Sequence, residues 1–246
     1  MKINLDDGYS FGLGLFETIH IYKNKALFLN EHLLRLNTSI RDLDFKFPEV
    51  YEEEILNYLV ENPSLKENEV IKIIISEENK IFLKRNYSYT DEQYKKGFRL
   101  NISKIKRNES SIFSYHKTLN CAENIFEKQK SILQGYDEPL FLNTKGFISE
   151  GGTSNIFFVK NNKIMTPKLA CGLLKGIVRD WVIREFDVIE GEISLNDIEF
   201  FDEAFLTNSL MGIMSVSSIG ALKLKSREIT NEILSKYNKE IKKGLL

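Results

Sequence analysis

The chain has 246 residues, 42% of them hydrophobic and 28% charged, with 34 Lys and Arg against 35 Asp and Glu and a formal net charge of −1. That length makes one large domain or two small ones, with a core that needs no staple, and the net charge of −1 argues against a nucleic-acid partner, with no cluster of the kind counterion release would exploit. Two cysteines, Cys121 and Cys171, are too few for a disulfide framework. The opening MKINLDDGYS places two aspartates where a signal peptide carries apolar residues, and no run of about 18 apolar residues follows. The expectation is a soluble, cytoplasmic protein with a small-molecule substrate and no membrane partner.

In chain order, FETIHIYKNKALFL alternates as a hairpin around Lys23-Asn24-Lys25. Asn30 is placed to cap a helix whose Leu33, Leu36, Ile40 and Leu43 recur at helical spacing, and a second helix fits Glu49 to Val60. Strands are predicted at Val70 to Ser76, Ile81 to Asn86 and Phe98 to Ser103. The polar run KIKRNESS then interrupts the apolar pattern, which predicts an N-terminal domain over 1–104, an interdomain loop over 105–114 and a C-terminal domain over 115–246. Beyond it come a helix from Cys121 to Leu133, strands PLFLN, GFIS, NIFFVK and KIMTP, a helix from about Ile177 to Phe186, and strands near Val188 to Ile193 and Glu203 to Leu206. Strands beside segregated helices make an α+β fold.

His20, His32 and His116 fall at no ligand spacing, so no metal is expected. Four segments carry chemistry. Lys117 in YHKTLNCAEN precedes a helix; Glu150 in FISEGGTSNIFFV precedes two glycines at a strand-to-strand turn. Gly176 stands immediately before a helix, where free backbone N–H groups favour an anion, and Asn208 and Ser209 follow a strand. Each has a plain structural role as well: a surface lysine, a turn acid whose glycines supply positive φ, a helix start, a polar loop.

Taken with the opening GLGLFETIHIYKNKALFLNEHLLRLNTSI, whose HLLRL matches a His-x-x-Arg-Leu helix, these segments stand in an order that resembles the fold-type IV pyridoxal-phosphate enzymes, also called the class IV aminotransferase family. The resemblance covers nearly the whole chain. It implies two α+β domains, a smaller N-terminal one and a larger mixed-sheet one, in a homodimer that binds pyridoxal 5′-phosphate. It further implies that Lys117 is the catalytic amine that holds the cofactor's aldehyde and then carries protons. By the same resemblance Glu150 steadies the protonated ring nitrogen, and the phosphate meets Arg35, the amides of Ile177 and Val178 at the Gly176 helix start, and the Ser209 hydroxyl.

Within the family the short chain, the Thr-Leu-Asn after Lys117 and the ending TNSLMGIMSV resemble the lyase branch, which converts 4-amino-4-deoxychorismate to 4-aminobenzoate and pyruvate on the way to folate. The alternative is an aminotransferase acting on D-alanine or branched-chain amino acids. Arg85 matches the arginine of an Arg-Gly-Tyr-Ser segment and is expected on a substrate carboxylate, with Thr18 and Asn208 as further pocket residues. Three positions depart from the family pattern: Asp7 arrives almost at once, Asn86 replaces a glycine, and Ser215 stands where a proline is usual.

Overall fold

The structure is a computed structural model and describes residues 3–63, 66–244 and 246. Among the described residues no helix is long and apolar enough to cross a membrane. The chain forms two compact units, one of residues 1–88, 116–121 and 240–246, the other of residues 89–115 and 122–239.

The first unit opens with a one-turn helix α1 (Asp7–Phe11), then strands β1 (Leu15–Tyr22) and β2 (Lys25–Ala26), helices α2 (Leu29–Asp42) and α3 (Glu52–Glu61), and strands β3 (Asn68–Ile75) and β4 (Lys80–Asn86). The sheet order is β2-β1-β3-β4, antiparallel throughout. Lys23 and Asn24 take φ of 48° and 64°, the left-handed pair that matches a tight hairpin to strand twist. Period-two alternation along β1 buries Leu15, Ile19 and Ile21, and these pack with Leu33, Leu36 and Ile40 of α2 and Ile55 and Leu59 of α3. The predicted cap at Asn30 is not used. The cap position is Phe28, at φ 54°, with no side-chain hydrogen bond; Leu27 and Phe28 are both buried, and that burial fixes where the helix begins.

The second unit holds α4 (Asp91–Lys96), β5 (Phe98–Arg107), α5 (Ala122–Leu133), β6 (Glu138–Asn143), β7 (Ile148–Gly151), β8 (Asn155–Lys160), β9 (Lys163–Pro167), α6 (Ile177–Glu185), β10 (Val188–Gly191), β11 (Glu203–Asn208), β12 (Gly212–Ile219), β13 (Leu222–Lys223) and most of α7 (Glu228–Lys243). Its sheet runs β10-β9-β8-β11-β12-β5-β6-β7, with β13 on β12. Parallel pairs β10/β9, β12/β5 and β5/β6 make it mixed. The core is nearly continuous apolar sequence: Leu140, Leu142, Ile156, Phe158, Leu206 and Met214 are all buried.

The boundary predicted at 105–114 is corrected by strand pairing. β5 is hydrogen-bonded to β6 and β12, so Phe98–Arg107 belongs to the larger sheet and the break falls at Ser88/Tyr89. KIKRNESS begins as the solvated end of that strand, and polarity there reports exposure, not a linker. Residues 116–121 leave the second unit for the first. The last helix, α7, was absent from the periodicity reading; it buries Thr230, Ile233 and Tyr237, with Tyr237 edge-on to Trp181.

Candidate active site

In the first unit β1 has a free edge beyond β2, and residues 117–119 fill it. Phe16 N donates to Lys117 O at 3.0 Å, Leu119 N donates to Gly14 O at 2.8 Å, and Leu15 bridges to Thr118. The glycine-rich opening is what permits this approach. A Cβ on Gly14 would stand 2.6 Å from Leu119 Cδ1 and 2.8 Å from Ile75 O, and Gly12, at φ +74°, lies against the Asn120 backbone. Facing Phe16 across this edge, Lys117 sends its side chain to the same side of the sheet, with Nζ 4.4 Å from the Phe16 ring centroid.

The register brings further polar groups to that side. Thr18 is the cross-strand partner of Lys72, and Lys72 Nζ lies 4.7 Å from the same Phe16 ring. Lys72 is half-buried, and no carboxylate among the described residues pairs with it. Burial pushes its amine below the ordinary lysine value, with the Arg85 charge adding to this and Cys121 opposing. Arg85 is exposed and pairs with Val70 one row along. One sheet face thus collects Lys117, Thr18, Lys72 and Arg85. Sequence reasoning missed Lys72; the signal available was a lysine amid isoleucines in a central strand.

On the opposite side, facing α2, Glu17 is fully buried. It accepts from Arg35 Nε and Nη2, each at 2.7 Å, and from His32 Nδ1 at 2.7 Å. Burial alone would raise the Glu17 pKa, but Arg35 and His32 overcome it and hold the carboxyl well below its usual range. Burial, against the pull of Glu17, keeps His32 below its ordinary value. Its Nε2 is buried without a hydrogen-bond partner. Arg35, predicted to meet a phosphate, is therefore oriented by Glu17, which the sequence did not single out, and lies beside His32 of the same HLLRL motif on that carboxylate.

In the second unit Glu150 is 7% exposed. Its Oε1 lies 3.0 Å from Arg107 Nη2, and its Oε2 accepts from Leu174 N at 3.1 Å. Arg107 stacks on Phe141 and donates to Asn124 Oδ1. The two glycines after Glu150 do not take the positive φ expected of them. They make room: a Cβ on Gly151 would strike Ser154 Oγ, and one on Gly152 would stand 2.9 Å from Pro139 Cγ.

Asn155, also missed, holds the next segment. Its Nδ2 donates to Leu174 O at 2.8 Å, and its Oδ1 occupies the space a Cβ on Gly176 would need. Gly176 caps α6 without a side chain, so the first-turn amides of Ile177 and Val178 begin a helix with no side-chain cap. Ser209 is half-buried in the turn between β11 and β12. Asn208, expected in the pocket, has its carboxamide engaged within the fold. Its Oδ1 accepts from the amides of Leu210 and Met211, and its Nδ2 donates to Tyr89 OH and Thr153 O, so the carboxamide shapes the loop that carries Ser209.

Residues 14–219 match the family model described as amino-transferase class IV. The chain belongs to the class IV aminotransferase family. Its relatives bear names of both kinds, aminotransferase and lyase. The "Probable branched-chain-amino-acid aminotransferase" of Aquifex aeolicus is 30% identical, over 92% of this chain and 81% of that protein. The aminodeoxychorismate lyase of Bacillus subtilis is 27% identical, over 96% of this chain and 88% of that protein. A solved structure from Legionella pneumophila, named "Putative 4-amino-4-deoxychorismate lyase", superposes with a TM-score of 0.86 at 27% identity and covers 98% of this chain and 96% of that one. Class IV enzymes use pyridoxal 5′-phosphate.

Within each unit taken by itself, the residues offer groups that suit parts of that cofactor. An amine stands on the polar sheet face, a buried carboxylate is held by a guanidinium and an amide, and a helix start is kept bare by a glycine with no space for a Cβ. These are the amine, the acceptor and the bare amides that an aldehyde, a protonated ring nitrogen and a phosphate respectively require.

Proposed function

We propose that the chain is the class IV lyase that converts 4-amino-4-deoxychorismate into 4-aminobenzoate and pyruvate. The observation that supports this most is Lys72, a half-buried ammonium with no paired carboxylate, on the sheet face that also presents Lys117, with Arg85 beyond it. A substrate with two carboxylates matches two cations, whereas an aliphatic side chain matches neither.

In this reading Lys117 holds pyridoxal phosphate, which supplies the electron-accepting ring. Glu150, oriented by Arg107 and Leu174 N, receives the ring nitrogen. Arg35, the amides of Ile177 and Val178, and Ser209 hold the phosphate. With the cofactor bound, Lys117 Nζ would take the proton from the amine-bearing carbon of the substrate. The bond from the ring to the enolpyruvyl oxygen breaks, the ring becomes aromatic, and Lys117 Nζ returns the proton to the departing methylene, which leaves as pyruvate. Thr18 lines the same face. A cytoplasmic homodimer completes the reading.

The second reading, a branched-chain or D-alanine aminotransferase, is supported by the Aquifex relative, whose identity of 30% exceeds the 27% of the Bacillus lyase. The two separate in one experiment. Holoprotein is given chorismate, glutamine and an amination enzyme, and separately an amino acid with 2-oxoglutarate. Formation of 4-aminobenzoate supports the lyase; rapid conversion to the pyridoxamine spectrum with no 4-aminobenzoate overturns it in favour of the aminotransferase. Lys117→Ala is expected to abolish the cofactor's visible absorbance, and retention of that band would remove Lys117 from its role.

A further inference from the structure

The segment carrying Lys117 is tied to β1 by two backbone bonds, Phe16 N to Lys117 O and Leu119 N to Gly14 O. Along such an edge neighbouring side chains point to opposite faces. Lys117 turns toward the Phe16 side, so His116 turns toward α2. There its Nδ1 lies 2.9 Å from Ser39 Oγ, and Ser39 is 3% exposed. The Ser39 hydroxyl has one hydrogen, which it donates to the Arg35 carbonyl at 2.9 Å. With that hydrogen on the Arg35 carbonyl, Ser39 Oγ accepts from the ring, which assigns His116 the Nδ1–H tautomer. Burial keeps the His116 imidazole below its ordinary value, against the pull of Asp42, which favours the neutral ring, and in the assigned tautomer its N–H is the one on Nδ1. The bond also ends on the helical turn that presents Arg35, whose guanidinium Glu17 grips.

We propose that His116 is a positioning residue: its Nδ1–H bond to Ser39 keeps the 116–119 edge from rolling, and so directs the Lys117 amine onto the Phe16 face. This rests on the assignment of Lys117 as the amine that holds the cofactor. Two backbone bonds define a line about which the strand can rotate; a side-chain anchor on the far face removes that freedom.

His116→Phe keeps a ring and removes the donor, whereas His116→Asn keeps a donor of similar reach and removes the ring. In the apoprotein, amide hydrogen exchange at Phe16 and Leu119 is expected to quicken roughly fivefold in His116→Phe, the equivalent of one hydrogen bond of about 1 kcal/mol, and to return toward wild type in His116→Asn. In the holoprotein, the pH titration of the cofactor's visible band should shift in His116→Phe and be restored in His116→Asn. Nitrogen NMR of the wild type should find the hydrogen on Nδ1. Unchanged exchange and titration in His116→Phe, or failure of His116→Asn to restore them, would overturn the proposal. Should His116→Phe not fold, Ser39→Ala removes the acceptor and is read by the same exchange. A visible band that persists in Lys117→Ala sinks the cofactor assignment alone, and loss of lyase activity with the His116 results intact leaves the positioning role standing.

Discussion

Lys72 and Glu17 are buried for opposite reasons, and each makes a prediction at the scale of the single residue. Lys72 is desolvated without a paired carboxylate, which costs free energy that a bound anion recovers. Lys72→Met is expected to lower kcat/KM for a dicarboxylate substrate roughly 10- to 100-fold, the worth of one charge-assisted bond of about 1.5–3 kcal/mol, while the cofactor's absorbance is retained. Steady-state kinetics checks this, and a change below threefold would remove Lys72 from the substrate. Glu17, by contrast, is completely partnered. Glu17→Gln leaves the Arg35 charge without its carboxylate and is expected to cost about 3–5 kcal/mol in urea-induced unfolding. Both residues escaped the sequence reading for one reason: alternation marks which positions face inward, but not which polar side chains there will find a partner.

At the scale of elements, the boundaries most legible in the sequence were those set by local chemistry. The Lys23-Asn24 hairpin and the leucine periodicity of α2 needed only neighbouring residues. The cap at Asn30 failed because Leu27 and Phe28 are buried, and that burial outweighed a polar cap. The helix α1 went unread, yet it depends on one acid. Asp6, its N-cap, accepts from Tyr9 N, Ser76 Oγ, Glu78 N and Asn79 Nδ2. Burial alone would raise its pKa; the hydrogen bonds, led by Ser76, outweigh this and bring it to about 2, from an ordinary value of 3.8. Because the folded value is the lower one, the stabilisation is complete above the unfolded value and is lost as pH falls from about 4 toward 2. Asp6→Asn should therefore lose about 1–2 kcal/mol at pH 7 and show a shallower fall in stability through that window. Equal slopes in acid unfolding of the two proteins would refute it. The glycine edge gives a second test. Gly14→Ala puts a methyl against Leu119 and the Ile75 carbonyl and is expected to cost about 1–3 kcal/mol of overpacking, visible as a lower melting temperature together with faster exchange at Leu119.

For the whole molecule, the chain's path matters more than its pattern. Residues 116–121 and 240–246 belong with residues 1–88 although more than a hundred positions separate parts of that unit. Periodicity is read in windows of a dozen residues and carries no information about pairing at that separation, so the β5 segment was grouped with residues 1–104 and Lys117 with residues 115–246, whereas each lies in the other unit. The proposed homodimer is a statement at this scale too; light scattering of the purified holoprotein should give twice the mass of one chain, and a monomer mass would overturn it.

The sequence alone determined that this is an α+β enzyme of the class IV family, because the order of its glycine, lysine, glutamate and helix-start segments is a covalent property that folding does not alter. It also determined where apolar faces would form, since side-chain periodicity follows from backbone geometry. Only the tertiary structure decided that the glycine-rich opening is a seat for the Lys117 segment, that Glu17 and His32 orient Arg35, and that Arg107 and Asn155 hold the Glu150 strand and the Gly176 helix start. Those are contacts between residues far apart in the chain, and their energies come from burial and hydrogen bonding that exist only once the distant segments have met.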